Sequence, residues 1–249
     1  MPKIALQLYT IRDFTDKDLK GALKKVKEIG FDFVELAGTY GLCTHEFKGL
    51  LDEIGLNAIS AHVSIDELKN DPVATIEKYK ELGVHAIGIP WLSGENLPGG
   101  SGFDATREFI IKIGDICKEN DIVLMYHNHD FEFKKLPNGE YIFDELFKEI
   151  PSLMAELDIG WVKAAGLSQT EYVKAYKGRL PVIHFKDTVK IGDKYEDRPV
   201  GQGDAEIEAI IELTKDDSKL YVVELDKAVG MTSMEAAEKS RSYLKGLGY

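Results

Sequence analysis

Short apolar runs alternate along the chain with longer stretches in which apolar residues recur at helical spacing. Between Asp16 and Ile29, for example, apolar positions repeat every three or four residues with Lys and Glu between them, and Gly30 follows as a stop. The apolar runs themselves have the length and composition of buried strands. Eight strands are predicted in this way: Ile4–Tyr9, Phe31–Ala37, Leu56–Val63, Val84–Trp91, Val123–Phe133, Met154–Gly160, Val182–Lys186 and Tyr221–Leu225.

A helix is predicted after each strand. The clearest start is Asp71-Pro72, where a capping residue precedes a proline at the first helical position. Two long loops remain, Leu92–Gly102 and the polar stretch Thr188–Gly203. The predicted helices are Asp16–Ile29, His45–Ile54, Pro72–Leu82, Asp104–Glu119, Phe143–Glu149, Gln169–Tyr176, Ala205–Thr214 and Ser233–Leu244.

These eight strand–helix units follow one another without a break in composition. Regular alternation favours a parallel sheet, and eight repeats favour a sheet that closes into a barrel. A doubly wound open sheet is the alternative, but no Gly-rich phosphate fingerprint follows the first strand. We therefore predict an α/β fold, a single (β/α)8 TIM barrel that forms one domain over residues 1–249.

Histidines and carboxylates stand at the ends of the predicted strands. The fifth strand is the most distinctive, because His127 and His129 would point to the same side of it, with Asn128 opposite. In barrels of this kind the active site lies at the carboxyl ends of the strands. Unrelated structural polar residues have no reason to collect on that face. The other strand-end residues are Gln7, Glu35, His62, Trp91, Asp158, His184, Lys186, Glu224 and Asp226.

The types of residue at this rim predict a site for one divalent metal ion. A mixed set of histidines and carboxylates suits Mn²⁺, Zn²⁺, Co²⁺ or Fe²⁺ better than Ca²⁺, whose ligands are oxygens. Cys43 and Cys117 are the only cysteines, and their spacing fits neither a structural zinc site nor a redox motif. An open position on such an ion would hold two sugar oxygens and polarise a carbonyl. The sequence offers no site for an organic cofactor.

Net charge narrows the range of partners. The formal charge of −12 opposes nucleic acid as a partner, because phosphate binding depends on clustered Lys and Arg. No apolar run reaches the roughly 20 residues that a membrane-spanning helix needs. Arg12 and Asp13 come too early for a signal peptide. We expect a cytoplasmic protein that binds a small-molecule sugar, with neither a membrane nor a nucleic-acid partner, and the sequence leaves a homo-oligomer open.

Motifs along the whole chain resemble those of the sugar phosphate isomerase/epimerase superfamily. These xylose isomerase-like barrels include ketose 3-epimerases, inosose dehydratase and endonuclease IV. No single motif is decisive, but all occur in the expected order at strand ends. They are Leu6-Gln7-Leu8-Tyr9-Thr10, Gly30-Phe31 before Val34-Glu35-Leu36, Tyr126-His127-Asn128-His129, Leu157-Asp158-Ile159-Gly160-Trp161, His184-Phe185-Lys186-Asp187, Pro199-Val200-Gly201-Gln202-Gly203-Asp204 and Val223-Glu224-Leu225-Asp226.

The resemblance implies a set of metal ligands on the last four strands. The superfamily usually supplies Glu, Asp, His and Glu, and this chain departs from the pattern at the first position, where His127 aligns with the usual Glu. Epimerases use that Glu both as a ligand and as one of two acid/base groups, so the symmetric two-carboxylate mechanism is in question here. The implied ligands are His127, Asp158, His184 and Glu224.

The remaining rim residues are assigned to catalysis and substrate binding. Glu224 would move the substrate proton, and His129 or Lys186 would serve the opposite face; Glu132 is a further candidate for the missing base. Arg198 would bind a substrate hydroxyl or phosphate, and Trp91 would form a wall under a sugar ring. The predicted substrate-binding residues are His62, Glu35, Trp91, Glu132 and Arg198.

The expected activity is that of a metal-dependent isomerase or epimerase. It would act on a small sugar or keto-sugar by moving a proton at a carbon next to a carbonyl. A dehydratase or lyase using the same site is the main alternative, because it also begins by removing such a proton. Remote alternatives are a phosphodiesterase of the endonuclease IV type and a sugar-binding protein without catalytic activity.

Overall fold

Eight parallel strands close into a barrel in the computed structural model, which describes residues 1–249. A separate two-stranded hairpin of β8 (Asp187–Ile191) and β9 (Lys194–Arg198) lies outside the barrel. The order around the barrel, β1-β10-β7-β6-β5-β4-β3-β2, is that of a (β/α)8 TIM barrel, as predicted. The barrel strands are β1 (Lys3–Gln7), β2 (Phe33–Ala37), β3 (Asn57–His62), β4 (Ala86–Ile89), β5 (Val123–His127), β6 (Met154–Asp158), β7 (Val182–Phe185) and β10 (Leu220–Val223).

Helices connect the strands on the outside of the barrel. Their ends follow local chemistry: the Asp71 side chain accepts a hydrogen bond from the Ala74 amide, as the Asp-Pro start predicted. No helix is both long enough and apolar enough to cross a membrane. The helices are α1 (Arg12–Thr15), α2 (Leu19–Ile29), α3 (Thr44–Ile54), α4 (Ile65–Asn70), α5 (Pro72–Glu81), α6 (Phe103–Glu119), α7 (Ile142–Glu149), α8 (Ile159–Ala164), α9 (Gln169–Ala175), α10 (Ile207–Thr214) and α11 (Ser233–Gly246).

The interior of the barrel divides into an apolar half and a polar half. The apolar half lies toward the amino ends of the strands and is formed by Ala5, Ala86, Met125, Val182, Leu220 and Val222. The polar half lies at the carboxyl ends, where strand register brings the rim residues to neighbouring positions. The register pairs Gln7 with Glu35, Ala37 with His62, His127 with Glu156, and Asp158 with His184.

The prediction of a loop over Thr188–Gly203 was wrong, because most of this stretch is the antiparallel hairpin β8–β9. A two-residue Gly192-Asp193 turn joins the strands, with Gly192 at a φ of 61°. Glycine tolerates this left-handed conformation, which tight hairpin turns require. The Asp197 carboxylate accepts hydrogen bonds from the amides of Asp226 and Lys227, so the hairpin is fastened to the loop after β10.

Several strands end earlier than predicted. β5 stops at His127 rather than Phe133, and the chain continues through a short helical turn at Phe131–Phe133. β6 stops at Asp158, whose carboxylate accepts a hydrogen bond from the Trp161 amide and so begins α8. Asp158, which was predicted as a site residue, therefore also caps α8, and the strand ends where this helix begins.

Candidate active site

Four predicted ligands meet at the carboxyl ends of β5, β6, β7 and β10. One donor atom from each of His127, Asp158, His184 and Glu224 lies within 4.8 Å of the others. All four side chains are buried. We call these four residues the outer cluster, because Glu224 and His127 also line the cavity at the mouth of the barrel.

A second group lies immediately beneath the outer cluster. Glu35, His62 and Glu156, which we call the deep cluster, approach one another closely: the His62 Nε2 atom lies 2.9 Å from Glu156 and 3.3 Å from Glu35. Both glutamates are fully buried. The Gln7 amide donates a 2.7 Å hydrogen bond to Glu35 and so orients its carboxylate.

Two imidazoles lie between the clusters and present one nitrogen to each. The Nδ1 atom of His184 is 2.9 Å from Glu224, whereas its Nε2 atom is 2.8 Å from Glu35 and 3.3 Å from Glu156. For His127, Nε2 lies 3.8 Å from Glu224 and Nδ1 lies 4.0 Å from Glu156. The two clusters are therefore joined through their histidines.

Sequence reasoning missed Glu156. Two signals pointed to it: Glu156 is two residues before Asp158 on the same strand, so both side chains face the barrel interior. The second is Gly88 on β4, where an added Cβ atom would overlap the Glu156 carboxylate. A glycine inside a strand often marks such a close approach.

Buried polar atoms without a hydrogen-bond partner concentrate in these two clusters. Among them are Oδ2 of Asp158, Oε2 of Glu35, Oε1 of Glu156, Nδ1 of His127 and Nε2 of His184. Buried polar atoms are normally paired, so an unpaired group of this size is unusual. Imidazole nitrogens and carboxylate oxygens are the donors that Mn²⁺, Zn²⁺, Co²⁺ and Fe²⁺ accept. The residues present therefore fit a divalent metal ion.

Burial and neighbouring charge set the protonation of the outer cluster. Burial lowers the pKa of His127 well below its usual range, and the neighbouring His184 lowers it further. Burial would raise the pKa of Glu224, but Lys186 and His184 outweigh it and hold that pKa well below its usual range. Burial raises the pKa of Asp158 to about 7. At neutral pH, His127 and Glu224 are thus in the forms that bind metal.

Lys186 lies beside the outer cluster with its ammonium almost completely buried. Its Nζ atom is 2.6 Å from Asp226 and 3.7 Å from both Asp158 and Glu224. Burial lowers the pKa of Lys186, but these carboxylates outweigh burial and raise that pKa above its usual range. Gly160 leaves the space for this lysine, since a Cβ atom there would lie 2.7 Å from the Lys186 Cγ. Lys186 is therefore a fixed positive charge.

His129 follows the end of β5 and lies next to the cluster. Its ring contacts the His127 ring at 5.2 Å between centroids and lies 5.4 Å from Phe131 and 5.5 Å from Trp161. The Glu132 carboxylate accepts a 2.8 Å hydrogen bond from the His129 amide. Glu132 is fully buried and its other oxygen accepts from the Tyr126 hydroxyl, so it lies behind His129 and does not line the cavity.

Asn128, the first residue after β5, bonds to the backbone of the neighbouring strand. Its side-chain amide donates to the Asp158 carbonyl and accepts from the Asp158 amide, at 3.1 and 2.9 Å. These bonds join the end of β5 to the end of β6 and fix the positions of His127 and Asp158 relative to each other.

A cavity of about 460 Å³ opens above the outer cluster. Trp91 lies at its wall with 53% of its surface exposed. Neither Glu35 nor Arg198 lines it; the Arg198 guanidinium contacts Glu196 and the Asp197 carbonyl on β9. No Lys or Arg is among the lining residues, which are Tyr9, Ala37, Gly38, His62, Ser64, Glu67, Pro90, Trp91, His127, His129, Glu224 and Asp226.

Several solved structures share this fold. Two sugar phosphate isomerase/epimerase structures from Parabacteroides distasonis share 23% and 24% sequence identity with the chain, with TM-scores of 0.82 and 0.78. Each alignment covers 98% of this chain, and 98% and 96% of the respective structures. A xylose isomerase-like TIM barrel protein from Mycobacterium smegmatis in complex with magnesium shares 17% identity over 99% of this chain and 96% of its own, with a TM-score of 0.74.

A search of curated proteins finds no match to this sequence. The profile of the xylose isomerase-like TIM barrel family matches residues 23–247, which span seven of the eight barrel strands and both clusters. The chain belongs to the xylose isomerase-like TIM barrel family.

Proposed function

We propose that the protein is a divalent-metal-dependent isomerase or epimerase that acts on a small sugar or keto-sugar. The observation that carries this proposal is the outer cluster, a buried set of two histidines and two carboxylates at the floor of an open cavity. Glu224 belongs both to the cluster and to the cavity wall. A substrate in the cavity would therefore meet a carboxylate base next to the metal ligands.

Four residues would hold the ion: His127, Asp158, His184 and Glu224. When bound, a divalent ion acts as a Lewis acid that polarises a carbonyl oxygen and makes the neighbouring C–H group more acidic. The magnesium found with the M. smegmatis barrel supports an ion in this fold.

Glu224 would take the proton from the substrate carbon. Its carboxylate is held ionised by Lys186 and by the Nδ1 atom of His184 at 2.9 Å. The other oxygen remains available to the cavity, where Glu224 is 4% exposed. A base that is ionised at neutral pH and fixed in position is what general base catalysis requires.

His129, which lines the cavity, would serve the opposite face of the same carbon, whereas Lys186 would act beside Glu224, 3.7 Å from its carboxylate. Burial lowers the pKa of His129, so its imidazole is neutral at pH 7 and able to accept a proton. Lys186 stays protonated and would donate to, or stabilise, a developing oxyanion. Glu132 would contribute by holding the His129 backbone rather than by direct contact with the sugar. Arg198 bonds to Asp197 and Glu196 on its own strand, β9, and is given no part in the reaction.

The cavity lining indicates an unphosphorylated substrate. Its ionisable acidic groups are Glu67, Glu224 and Asp226, and no Lys or Arg lines it. The nearby Lys186 is already paired with Asp226 at 2.6 Å. The exposed rings of Trp91 and Tyr9 at the mouth would contact the apolar face of a sugar ring. His62, at the boundary with the deep cluster, would hydrogen-bond a sugar hydroxyl.

Proton exchange with solvent tests the proposed activity. The manganese-loaded protein is incubated with a panel of aldoses, ketoses and keto-sugars in deuterated water, and the products are followed by NMR. We expect deuterium at one carbon beside the carbonyl, and a rate about 10²–10⁴-fold lower in Glu224→Gln. The exposed Glu238→Gln is the matched control. If no sugar in the panel exchanges a proton, the proposal fails.

A dehydratase or lyase is the second candidate, because an ammonium lies close to the proposed base. Glu224 would remove a proton while Lys186, 3.7 Å away, would hydrogen-bond to the leaving hydroxyl and stabilise its developing charge. The same NMR experiment separates the two reactions, since elimination yields an unsaturated product and isomerisation does not.

A further inference from the structure

The deep cluster has the composition of a metal site in its own right. We propose that Glu35, His62, Glu156 and the Nε2 atom of His184 bind a divalent cation separate from the ion of the outer cluster. This inference goes beyond the proposed function, because neither glutamate reaches the cavity in which the sugar would react.

The spacing of the four donor atoms supports the assignment. The two imidazole nitrogens each lie close to both carboxylates: His62 at 2.9 and 3.3 Å, and His184 at 2.8 and 3.3 Å. In a tetrahedral site with ligand distances of about 2.0–2.1 Å, neighbouring donors are about 3.3 Å apart. The four histidine–carboxylate separations therefore lie within about half an ångström of this value, with Glu156 presenting Oε2 to His62 and Oε1 to His184.

Several buried polar atoms of the deep cluster are unpaired. The Oε2 atom of Glu35, the Oε1 atom of Glu156 and the Nε2 atom of His184 are buried and make no hydrogen bond of acceptable geometry. The three residues are 0% exposed. Leaving several buried polar atoms unpaired is costly, about 1–3 kcal/mol for each neutral group and more for a charged one.

Charge also favours a cation in the deep cluster. Lys186 lies beside Asp226, Asp158 and Glu224, so the deep cluster has no lysine or arginine partner. The cationic partners of Glu35 and Glu156 are the imidazoles of His62 and His184, which carry a charge only when protonated. A divalent ion bound between them would offset the two carboxylates with both imidazoles in the neutral form that binds metal.

The orientation of His184 connects the two sites without an imidazolate bridge. A neutral imidazole has one lone pair for a metal and one N–H group for a hydrogen bond. With Nε2 on the deep ion, the Nδ1–H group donates to Glu224 at 2.9 Å, which is the arrangement that commonly orients metal-bound histidines. With both ions bound, His184 is therefore a ligand of the deep ion alone, and the four-residue outer set is reduced to the Nε2 atom of His127, Asp158 and Glu224.

Counting ions in matched variants tests this proposal. Protein is stripped with chelator, loaded with Mn²⁺ alone, passed over a desalting column and analysed for manganese per chain. We expect two ions in the wild type and one in both His62→Gln and Glu156→Gln. His45→Gln, the same change at an exposed histidine, should keep two. Near-UV circular dichroism confirms that each variant is folded, and the wild-type count does not depend on any variant.

The outcomes separate the deep site from the proposed function. If His62→Gln and Glu156→Gln carry as much manganese as the wild type, the deep site does not exist. A single ion that is lost in Glu224→Gln but kept in both deep-cluster variants would overturn this inference and leave the proposed function standing. An ion lost in the deep-cluster variants but not in Glu224→Gln would establish the deep site and remove the outer ion from the proposed mechanism.

Discussion

The two halves of the barrel interior are built by the same strands but have opposite chemistry. Met125 on β5 is fully buried among apolar side chains, and His127, two residues later, is a donor between two charged clusters. Along β6, Met154 packs against the apolar half whereas Glu156 and Asp158 face the polar one. The apolar half stabilises the fold by hydrophobic burial and needs no bound ligand to do so. The polar half holds charges that need protons or metal ions to balance them.

The largest expected effect is on catalysis, in the polar half. His129→Gln removes the base on one face of the substrate while Glu224 remains on the other. Formation of the isomerised product should fall about 10²–10⁴-fold, whereas solvent deuterium should still enter the substrate through Glu224. NMR measures both rates in one sample. With His45→Gln as the control, an unchanged rate of product formation would remove His129 from the mechanism.

The next effect is on stability, in the apolar half. Met125→Ala leaves a cavity in a fully buried site and should lower the free energy of unfolding by about 2–5 kcal/mol. Its manganese content should match the wild type, because the clusters lie at the other end of the strand. Urea unfolding of the metal-free protein measures the loss. Val73→Ala, on a side chain that is 49% exposed, should change stability little; an equal loss there would contradict the comparison.

A smaller effect is expected at Gly88, where the strand backbone approaches the polar half. In Gly88→Ala the added Cβ would overlap the Glu156 carboxylate and push it out of the deep cluster. We expect manganese affinity at the deep site to fall about 10–100-fold, as it does when groups that position metal ligands are disturbed. Titration calorimetry measures this affinity.

Gly49→Ala is the control for Gly88→Ala. It places a Cβ in open space on α3 and should leave metal binding unchanged while raising stability by about 1 kcal/mol. Equal metal affinity in Gly88→Ala and Gly49→Ala would mean that Glu156 does not need its present position.

The smallest effect is a dependence of stability on pH. The apolar half cannot produce it, because its side chains carry no ionisable group. Burial raises the pKa of Glu132 to about 7 from an ordinary value of 4.5. The folded protein therefore holds this proton more tightly than the unfolded chain. The associated stability is complete below pH 4.5 and is lost as the pH rises toward 7.

Replacing the carboxyl group tests this dependence. Glu132→Gln should lose less stability than the wild type between pH 5 and pH 7, by a difference of about 2 kcal/mol. Urea midpoints of the metal-free proteins across this range provide the measurement. Parallel pH profiles for the two proteins would show that Glu132 is already ionised in the fold at pH 5.

Periodicity predicted most of the barrel correctly, because each strand and helix is specified by its own residues. Periodicity failed where the structure of a segment depends on contacts with residues outside that segment. The hairpin β8–β9 is short and polar, and its two strands are stabilised by pairing with each other and by the bonds of Asp197 to the loop after β10. Val123–Phe133 was predicted too long because the aromatic and acidic residues after His129 resemble a strand, although they form a turn around Glu132.

The sequence predicted which residues gather at the rim, but not which contacts each of their side chains makes. His127, Asp158, His184 and Glu224 were expected at one site because parallel strands bring their carboxyl ends to the same face, and the structure brings them together. Glu132 and Arg198 were expected to contact substrate, yet their side chains are engaged with Tyr126 and Glu196. A position at or after a strand end places a residue near the active-site face of the barrel. Whether its side chain lines the cavity depends on the conformation of the loop that follows the strand.

The sequence by itself determined the barrel, its direction and the chemical character of its rim, since these follow from local periodicity and from the rule that strand ends carry function. Tertiary structure alone decided that Glu156 joins the site, that Lys186 pairs with Asp226, and which nitrogen of His184 faces which cluster. These choices depend on the register between neighbouring strands and on the space that a glycine on another strand leaves open. No residue carries that information in its own sequence neighbourhood.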